Sequence, residues 1–235
     1  MSVTPVPQVR VNRKAADRVA GGHPWIFSSD IVDLGSAQPG DAVSVLGPDL
    51  KKTRDGRGQF LGFAHFSSTS QITLRMLTRL RSADHSVAGR EFFLQRLRQA
   101  ISHREIVVQD SDAYRLVSSE ADQLPGLIVD RYGPYLVMQA LTQGMDRNRD
   151  IIEDCLNELL QPSGILARND ASVRRLEGLP LEVTTLAGSI PEKITIHMNG
   201  LQLSADLLHG QKTGAYLDQR ENYVAAARYA HGRVL

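Results

Sequence analysis

The residues with the densest chemistry lie toward the C-terminal end. Gly210-Gln211-Lys212-Thr213-Gly214 sets an amide, a cation and a hydroxyl between two glycines, and Tyr216-Leu217-Asp218-Gln219-Arg220 follows at once. Glycines let a backbone approach a ligand closely, and a helix start offers orphan N–H groups, so such a run suits an anionic or carboxylate group. The same residues also serve as a plain turn. A nucleotide phosphate loop is not expected. That pattern needs Gly directly before Lys, where Gln211 stands, and an earlier Gly, where Ala205 stands five residues before Gly210. Asp218 and Glu221 have the spacing of a capping box, which predicts a helix through Tyr229 and accounts for Asp218 without a ligand. Arg220 in its first turn opposes the helix dipole, which points to an anionic partner or to a salt bridge with Glu221 or another carboxylate.

A second group is aromatic and basic. His23-Pro24-Trp25-Ile26-Phe27 follows a segment carrying Arg13, Lys14 and Arg18. Flat rings beside cations suit stacking on unpaired bases, and Trp25 and Phe27 equally suit a core. Arg115, Glu120, Asp122, Asp130, Arg168, Asp170, Arg174 and Glu177 stand near strand ends, as an ion-pair network or as the lining of an RNA groove. The single cysteine, Cys155, shares an apolar helical stripe with Ile152, Leu156 and Leu159, where a thiol is a small hydrophobe with a raised pKa. No catalytic residue is therefore nominated. The seven histidines show no H-x-x-H or H-E-x-x-H spacing, and one cysteine cannot build a thiolate zinc site, so no metal is expected.

These groups need elements to hold them. Residues 10–20 predict a helix with Arg13, Lys14 and Arg18 on its polar side, stopped by Gly21-Gly22. Apolar runs at 42–46, 59–64 and 71–77, with turn residues at 47–49 and 55–58, predict a small β-barrel or sandwich ending near 78–86. Helical spacing at 86–104 and 146–160 alternates with strand-like runs at 115–118, 126–130, 135–141, 164–168, 181–185, 193–197 and 201–207. That order predicts an α+β sandwich on a mainly antiparallel sheet. Arg233-Val234-Leu235 reads as the start of another strand. A domain ending there leaves that strand's backbone groups unpaired, so the chain is expected to be cut short.

Composition sets the outer limits. The chain has 235 residues, 42% hydrophobic and 23% charged, which excludes disordered, collagenous and coiled-coil classes. No apolar run reaches the ~20 residues that span a bilayer, and the first residues do not form a secretory signal, so a cytoplasmic protein without membrane contact is expected. Net charge is +1, unevenly spread: residues 1–81 carry 11 Lys/Arg against 6 Asp/Glu, and residues 82–235 carry 16 against 20. This asymmetry fits one module that contacts phosphate, or ordinary solvated surface.

Three runs, V-N-R-K-A-A-D-R-V-A-G-G-H-P-W-I-F-S (11–28), F-L-G-F-A-H-F-S (60–67) and S-Q-I-T-L-R-M-L (70–77), resemble the PUA domain of the class I SAM-dependent large-subunit ribosomal RNA cytosine-5 methyltransferases. Y-R-L-V-S-S-E-A-D-Q-L-P-G-L-I-V-D-R-Y-G (114–133) and A-R-N-D-A-S-V-R-R-L-E-G-L (167–179) resemble that family's central domain, as does D-L-L-H-G-Q-K-T-G-A-Y-L-D-Q-R (206–220). The resemblance implies a PUA-like RNA-binding domain over 1–80, a central α+β domain over 86–208, and the start of a methyltransferase domain over 209–235. It implies S-adenosylmethionine as cofactor, beside Gln211, Lys212, Thr213, Gly214, Tyr216, Gln219 and Arg220. Ribosomal RNA is the implied partner, contacted by Arg13, Lys14, Arg18, His23, Trp25, Arg115, Arg168 and Arg174. The family's glycine-rich cofactor loop, Rossmann-like domain and catalytic cysteine have no counterpart in these residues. Cytosine carbon-5 is not nucleophilic until a thiolate adds at carbon-6, and Cys155 lies in the wrong element for that. The expectation is an RNA-recognition portion, inactive and not binding the cofactor by itself; alternatives are a stand-alone RNA-binding or ribosome-associated protein, and a homodimer that swaps its last helix.

Overall fold

The computed structural model describes residues 6–48, 58–79 and 87–233. The expected turn at 55–57, the boundary at 80–86 and the strand start at 234–235 lie outside the described residues.

The first unit is a mixed six-stranded sheet. It contains β1 (Gln8–Val11), helix α1 (Arg13–Ala20), β2 (Trp25–Phe27), β3 (Ile31–Asp33), β4 (Ala42–Leu46), β5 (Phe60–Phe66) and β6 (Ile72–Thr78), with strand order β2-β6-β5-β4-β1-β3. β1 and β4 run parallel and every other pair is antiparallel. Alternate residues point to opposite faces, so Val9, Val11, Val43 and Val45 turn inward together and meet Ala15 and Val19 of α1. The helix starts at Arg13, later than its spacing suggests, because Asn12 caps it: Asn12 Oδ1 accepts from Ala15 N at 2.9 Å while Arg10 and Val11 pair with β3.

The second unit carries α2 (Arg90–Val107), β7 (Ala113–Ser118), β8 (Leu127–Tyr132), β9 (Tyr135–Ala140), α3 (Gln143–Arg147), α4 (Arg149–Leu160), β10 (Gly164–Asn169) and β11 (Glu182–Gly188). Its sheet has the order β11-β10-β9-β8-β7. This sheet is also mixed: β9 and β10 are parallel, because the chain between them makes the long crossover through α3 and α4 that a parallel pair requires. Helices α2 and α4 cover one face, burying Phe93, Leu97, Ile152 and Cys155. The single helix expected at 146–160 is two. Thr142 caps α3, and the chain leaves helical geometry at Asn148, whose Nδ2 donates to Gly144 O at 2.7 Å.

Strands β12 (Ile194–Met198) and β13 (Leu201–Ala205) form a separate hairpin, not part of the central sheet as expected. Asn199 and Gly200 both take positive φ, the geometry of a tight hairpin turn. One hairpin face packs Ile194, Ile196 and Met198 on Tyr132 and Val137, while Leu201 and Leu203 stay exposed. Helix α5 (Arg220–Ala227) buries none of its residues and stops short of Tyr229.

The two sheet units share a bonded seam. Ser67 Oγ donates to Glu177 Oε2 at 2.6 Å, Arg75 lies 3.0 Å from Glu177 Oε1, and Trp25 Nε1 donates to Glu120 at 2.8 Å. His65 of β5 is buried against Gly144, where a Cβ would stand 2.2 Å from the imidazole Cγ, so only glycine is accommodated there. Among the described residues no helix is long and apolar enough to cross a membrane.

Candidate functional site

The segment 206–220 crosses the end of the central sheet, held from below by side chains of β8 and β10. Asp206 starts it, its carboxylate accepting from the N–H groups of Leu208 at 3.0 Å and His209 at 2.8 Å, which lowers its pKa. Arg168 of β10 donates to Leu207 O at 2.8 Å and Gly210 O at 3.2 Å, and is itself fixed by Asp170. Within 208–220 Thr213 alone is buried. Its Oγ1 donates to Asp130 Oδ2 at 2.6 Å and lies 2.8 Å from the Tyr132 hydroxyl, which also accepts from Ala215 N at 3.1 Å. Burial pushes the Tyr132 phenol up to about 12, so it stays protonated as a hydrogen-bond partner.

Asp130 is fully buried and has a second partner. Arg115 reaches it through Nε at 2.9 Å and Nη2 at 3.1 Å, and this bidentate contact raises the guanidinium pKa. β8 thus carries one carboxylate among apolar neighbours because two donors, one from β7 and one from the loop, satisfy it. Removing the loop's donor has a clear expected effect. Thr213→Val is expected to destabilise the chain by about 1–3 kcal/mol, the cost of an unmade buried hydrogen bond. Amide exchange at 211–215 should accelerate while α2 and α4 stay protected; unchanged exchange there would refute the anchoring role.

Above this anchor the loop is exposed. Lys212 takes a left-handed φ, and its ammonium sits 2.7 Å from Asp218 and 4.6 Å from the centre of the Tyr216 ring. The Tyr216 hydroxyl bonds Gln211. The capping box is not formed. Asp218 lies in a 3-10 turn, Leu217–Gln219, and its carboxylate goes to Lys212, which lowers its pKa; no side chain caps α5. A direct ion pair outcompetes the cap. Arg220 takes its intramolecular option, bonding Glu221 at 2.7 and 3.0 Å. On the open side of the loop Lys212 is engaged by Asp218, Gln211 by Tyr216 and Gln219 by Asn222. These are polar groups of the kind that could meet a carboxylate ligand on one side only.

The other nominated residues separate by burial. Arg13 and Lys14 are exposed on α1, with Asp17 only a loose partner of Arg13 at 3.9 Å. Arg18 instead turns to the buried Asp30 and lies 5.3 Å from the centre of the Phe27 ring. Trp25 and Phe27 are both half-buried because Ile26 takes the core position between them; His23 Nδ1 lies 3.1 Å from Trp25 N. Arg115 is partly exposed. Arg168 and Arg174 are not on the surface: Arg174 is fully buried, bonded to Asp146, Ala140 O and Pro180 O, so the ion-pair alternative describes them. Cys155 is buried, its thiol pKa raised by desolvation. Among the described residues no cluster of His, Cys, Asp or Glu could hold a metal. Asp130 and Tyr132 as loop anchors escaped the residue reading. Their one signal was the carboxylate of Asp130 directly after the apolar run 127–129.

Residues 9–79 match the model of a PUA-like domain. Over 215 residues the chain is 38% identical to ribosomal RNA large subunit methyltransferase I of Yersinia pseudotuberculosis (strain IP 31758), covering 90% of this chain and 52% of that protein. The Yersinia pestis protein of the same name matches equally. The chain thus spans about half the length of these curated relatives. Among solved structures, SMU.776, assigned as a methyltransferase and complexed with SAH, superposes with a TM-score of 0.73 at 20% identity, over 92% of this chain and 52% of that one. A Streptococcus mutans protein assigned as a SAM-dependent methyltransferase gives 0.71 at 20% identity, over 92% and 53%. At that identity the likeness concerns the fold.

Proposed function

We propose that these residues are the RNA-docking half of an S-adenosylmethionine-dependent methyltransferase acting on cytosine carbon-5 of large-subunit ribosomal RNA. The observation that carries the proposal is 38% identity to ribosomal RNA large subunit methyltransferases across 90% of the chain. The basic N-terminal unit supports it, since α1 exposes Arg13 and Lys14 where a phosphate backbone can reach them. In this reading residues 1–80 dock RNA, residues 86–208 brace them, and the loop at 211–220 forms one wall of the cofactor site. When bound, the cofactor supplies an electrophilic methyl group. Lys212 and Gln219 hold its polar end and Thr213 keeps the loop seated on Asp130. Transfer to carbon-5 needs a thiolate, and the only cysteine is buried with a raised pKa, so residues 1–235 position substrate without reacting with it.

Titrating an RNA stem-loop against the chain at rising salt tests the docking role. Affinity is expected to fall on a log–log plot, and Arg13→Ala or Lys14→Ala should each reduce the slope by about one. A flat slope, or no binding at about 50 mM salt, would overturn it. The same sample given methyl-labelled cofactor should transfer nothing to the RNA; incorporation would show that the chain holds its own reaction centre.

A further inference from the structure

A groove of about 600 Å³ opens along the seam, between the ends of β2 and β6 on one side and the 3-10 turn Ser172–Glu177 on the other. The turn is inverted. With three residues per turn, side chains at i and i+3 line up. Arg174 and Glu177 occupy one row and are buried, at 0% and 1% exposure, while Val173 and Leu176 occupy another and are 41% and 66% exposed. Charges therefore face inward and aliphatic groups outward, the reverse of an ordinary surface turn. The outward pair lines the groove with Phe27 and Ile72, and Arg75 and Glu177, 3.0 Å apart, supply its polar edge. Glu177 Oε2 accepts from Ser67 Oγ and Gln143 N, while Oε1 meets Arg75 only as an ion pair, without hydrogen-bond geometry.

Apolar walls with a donor and an acceptor at one edge fit a flat heteroaromatic ring: its faces meet the aliphatic and phenyl groups, and its rim meets guanidinium and carboxylate. We infer that this groove takes an unpaired base of the RNA, an inference that rests on the RNA-docking reading above. Arg175 is exposed on the same turn and makes no side-chain hydrogen bond among the described residues, a free cation for an adjoining phosphate. The site lies at the Phe27 end of β2, and both sheet units contribute to it. An RNA loop seated there would be read by the seam itself.

The test uses the whole chain and two kinds of probe. Titration with GMP and with CMP, followed by amide NMR, is expected to shift resonances at 69–72 and 173–177. Because Val173 and Leu176 are exposed, the V173S/L176S double variant should keep the parent Tm. It is expected to lose about ten-fold in affinity for a stem-loop with unpaired bases and less than about two-fold for a fully paired duplex. Equal losses on both RNAs, or none on either, overturn the groove. The two readings fail differently. Nucleotide shifts in the groove with no stem-loop binding would retain the base site and remove the ribosomal RNA reading. Stem-loop binding that ignores V173S/L176S, with no nucleotide shifts, would remove the base site alone.

Discussion

Replacing Arg174 with methionine is expected to lower the unfolding free energy by about 3 kcal/mol and Tm by roughly 6–12 °C. Methionine nearly fills the volume but donates nothing. Arg174 Nε serves Pro180 O at 2.9 Å, and Nη1 serves Asp146 at 2.9 Å together with Ala140 O. Removing one partner of a buried ion pair costs roughly 3–5 kcal/mol, because the remaining charge and carbonyls keep their desolvation cost without the compensating bonds. Asp146 keeps some access to water, with 26% of its side chain exposed, which puts the expectation at the lower end of that range. Urea unfolding measures the difference. A loss below about 1 kcal/mol, the value of a surface pair, would refute the internal strut. Arg174→Lys should recover only part, since an ammonium cannot span three acceptors in one plane.

Acid should weaken the seam through His65. Its imidazole is buried, neither ring nitrogen has a hydrogen-bond partner among the described residues, and desolvation with the nearby Arg75 cation lowers its pKa from 6.5 to about 4. The unfolded chain takes up the proton near the ordinary value and the native chain does not. Between those limits the unfolded state binds more protons, so stability is fully present above about pH 6.5 and falls as pH drops toward about 4. Below that the imidazole contributes no further change. At 1.36 kcal/mol per pH unit, the complete loss is about 3 kcal/mol. His65→Asn keeps a neutral polar group in place and removes the titration. Unfolding free energies of parent and variant, measured from pH 7 to pH 4.5, should therefore diverge in slope. Parallel slopes would show that the imidazole is not shielded from water.

The loop at 210–220 stands out in the sequence because glycines and mixed polar groups cluster there. Its anchor was not, since Thr213 and Asp130 are 83 residues apart and nothing local announces their meeting. Asp218 shows how a correct local pattern loses to a tertiary contact: the capping spacing is present, but Lys212 supplies a full charge at 2.7 Å. The run 172–177 misleads for a related reason. Two arginines and a glutamate in six residues read as solvated surface, and only the arrival of Asp146, Arg75 and Ser67 makes burial of Arg174 and Glu177 affordable. From β4 onward strand positions followed closely from the apolar runs, whereas β1, β2 and β3 were not expected as strands. Strand direction did not follow, because side-chain alternation is the same in parallel and antiparallel pairs. The Asn199-Gly200 dipeptide is a hairpin signal, but nothing in it says that β12 and β13 stand apart from the central sheet.

Ser67 and Glu177 are 110 residues apart, yet their bond closes the seam beside Arg75. Translation at about 5–20 residues per second puts roughly 5–20 s between the emergence of one and of the other. Throughout that interval the nascent N-terminal sheet carries an uncompensated guanidinium at the face that will later be covered. Maturation of this surface is thus timed by synthesis: the first module waits, half-finished, for a carboxylate that the ribosome has yet to deliver.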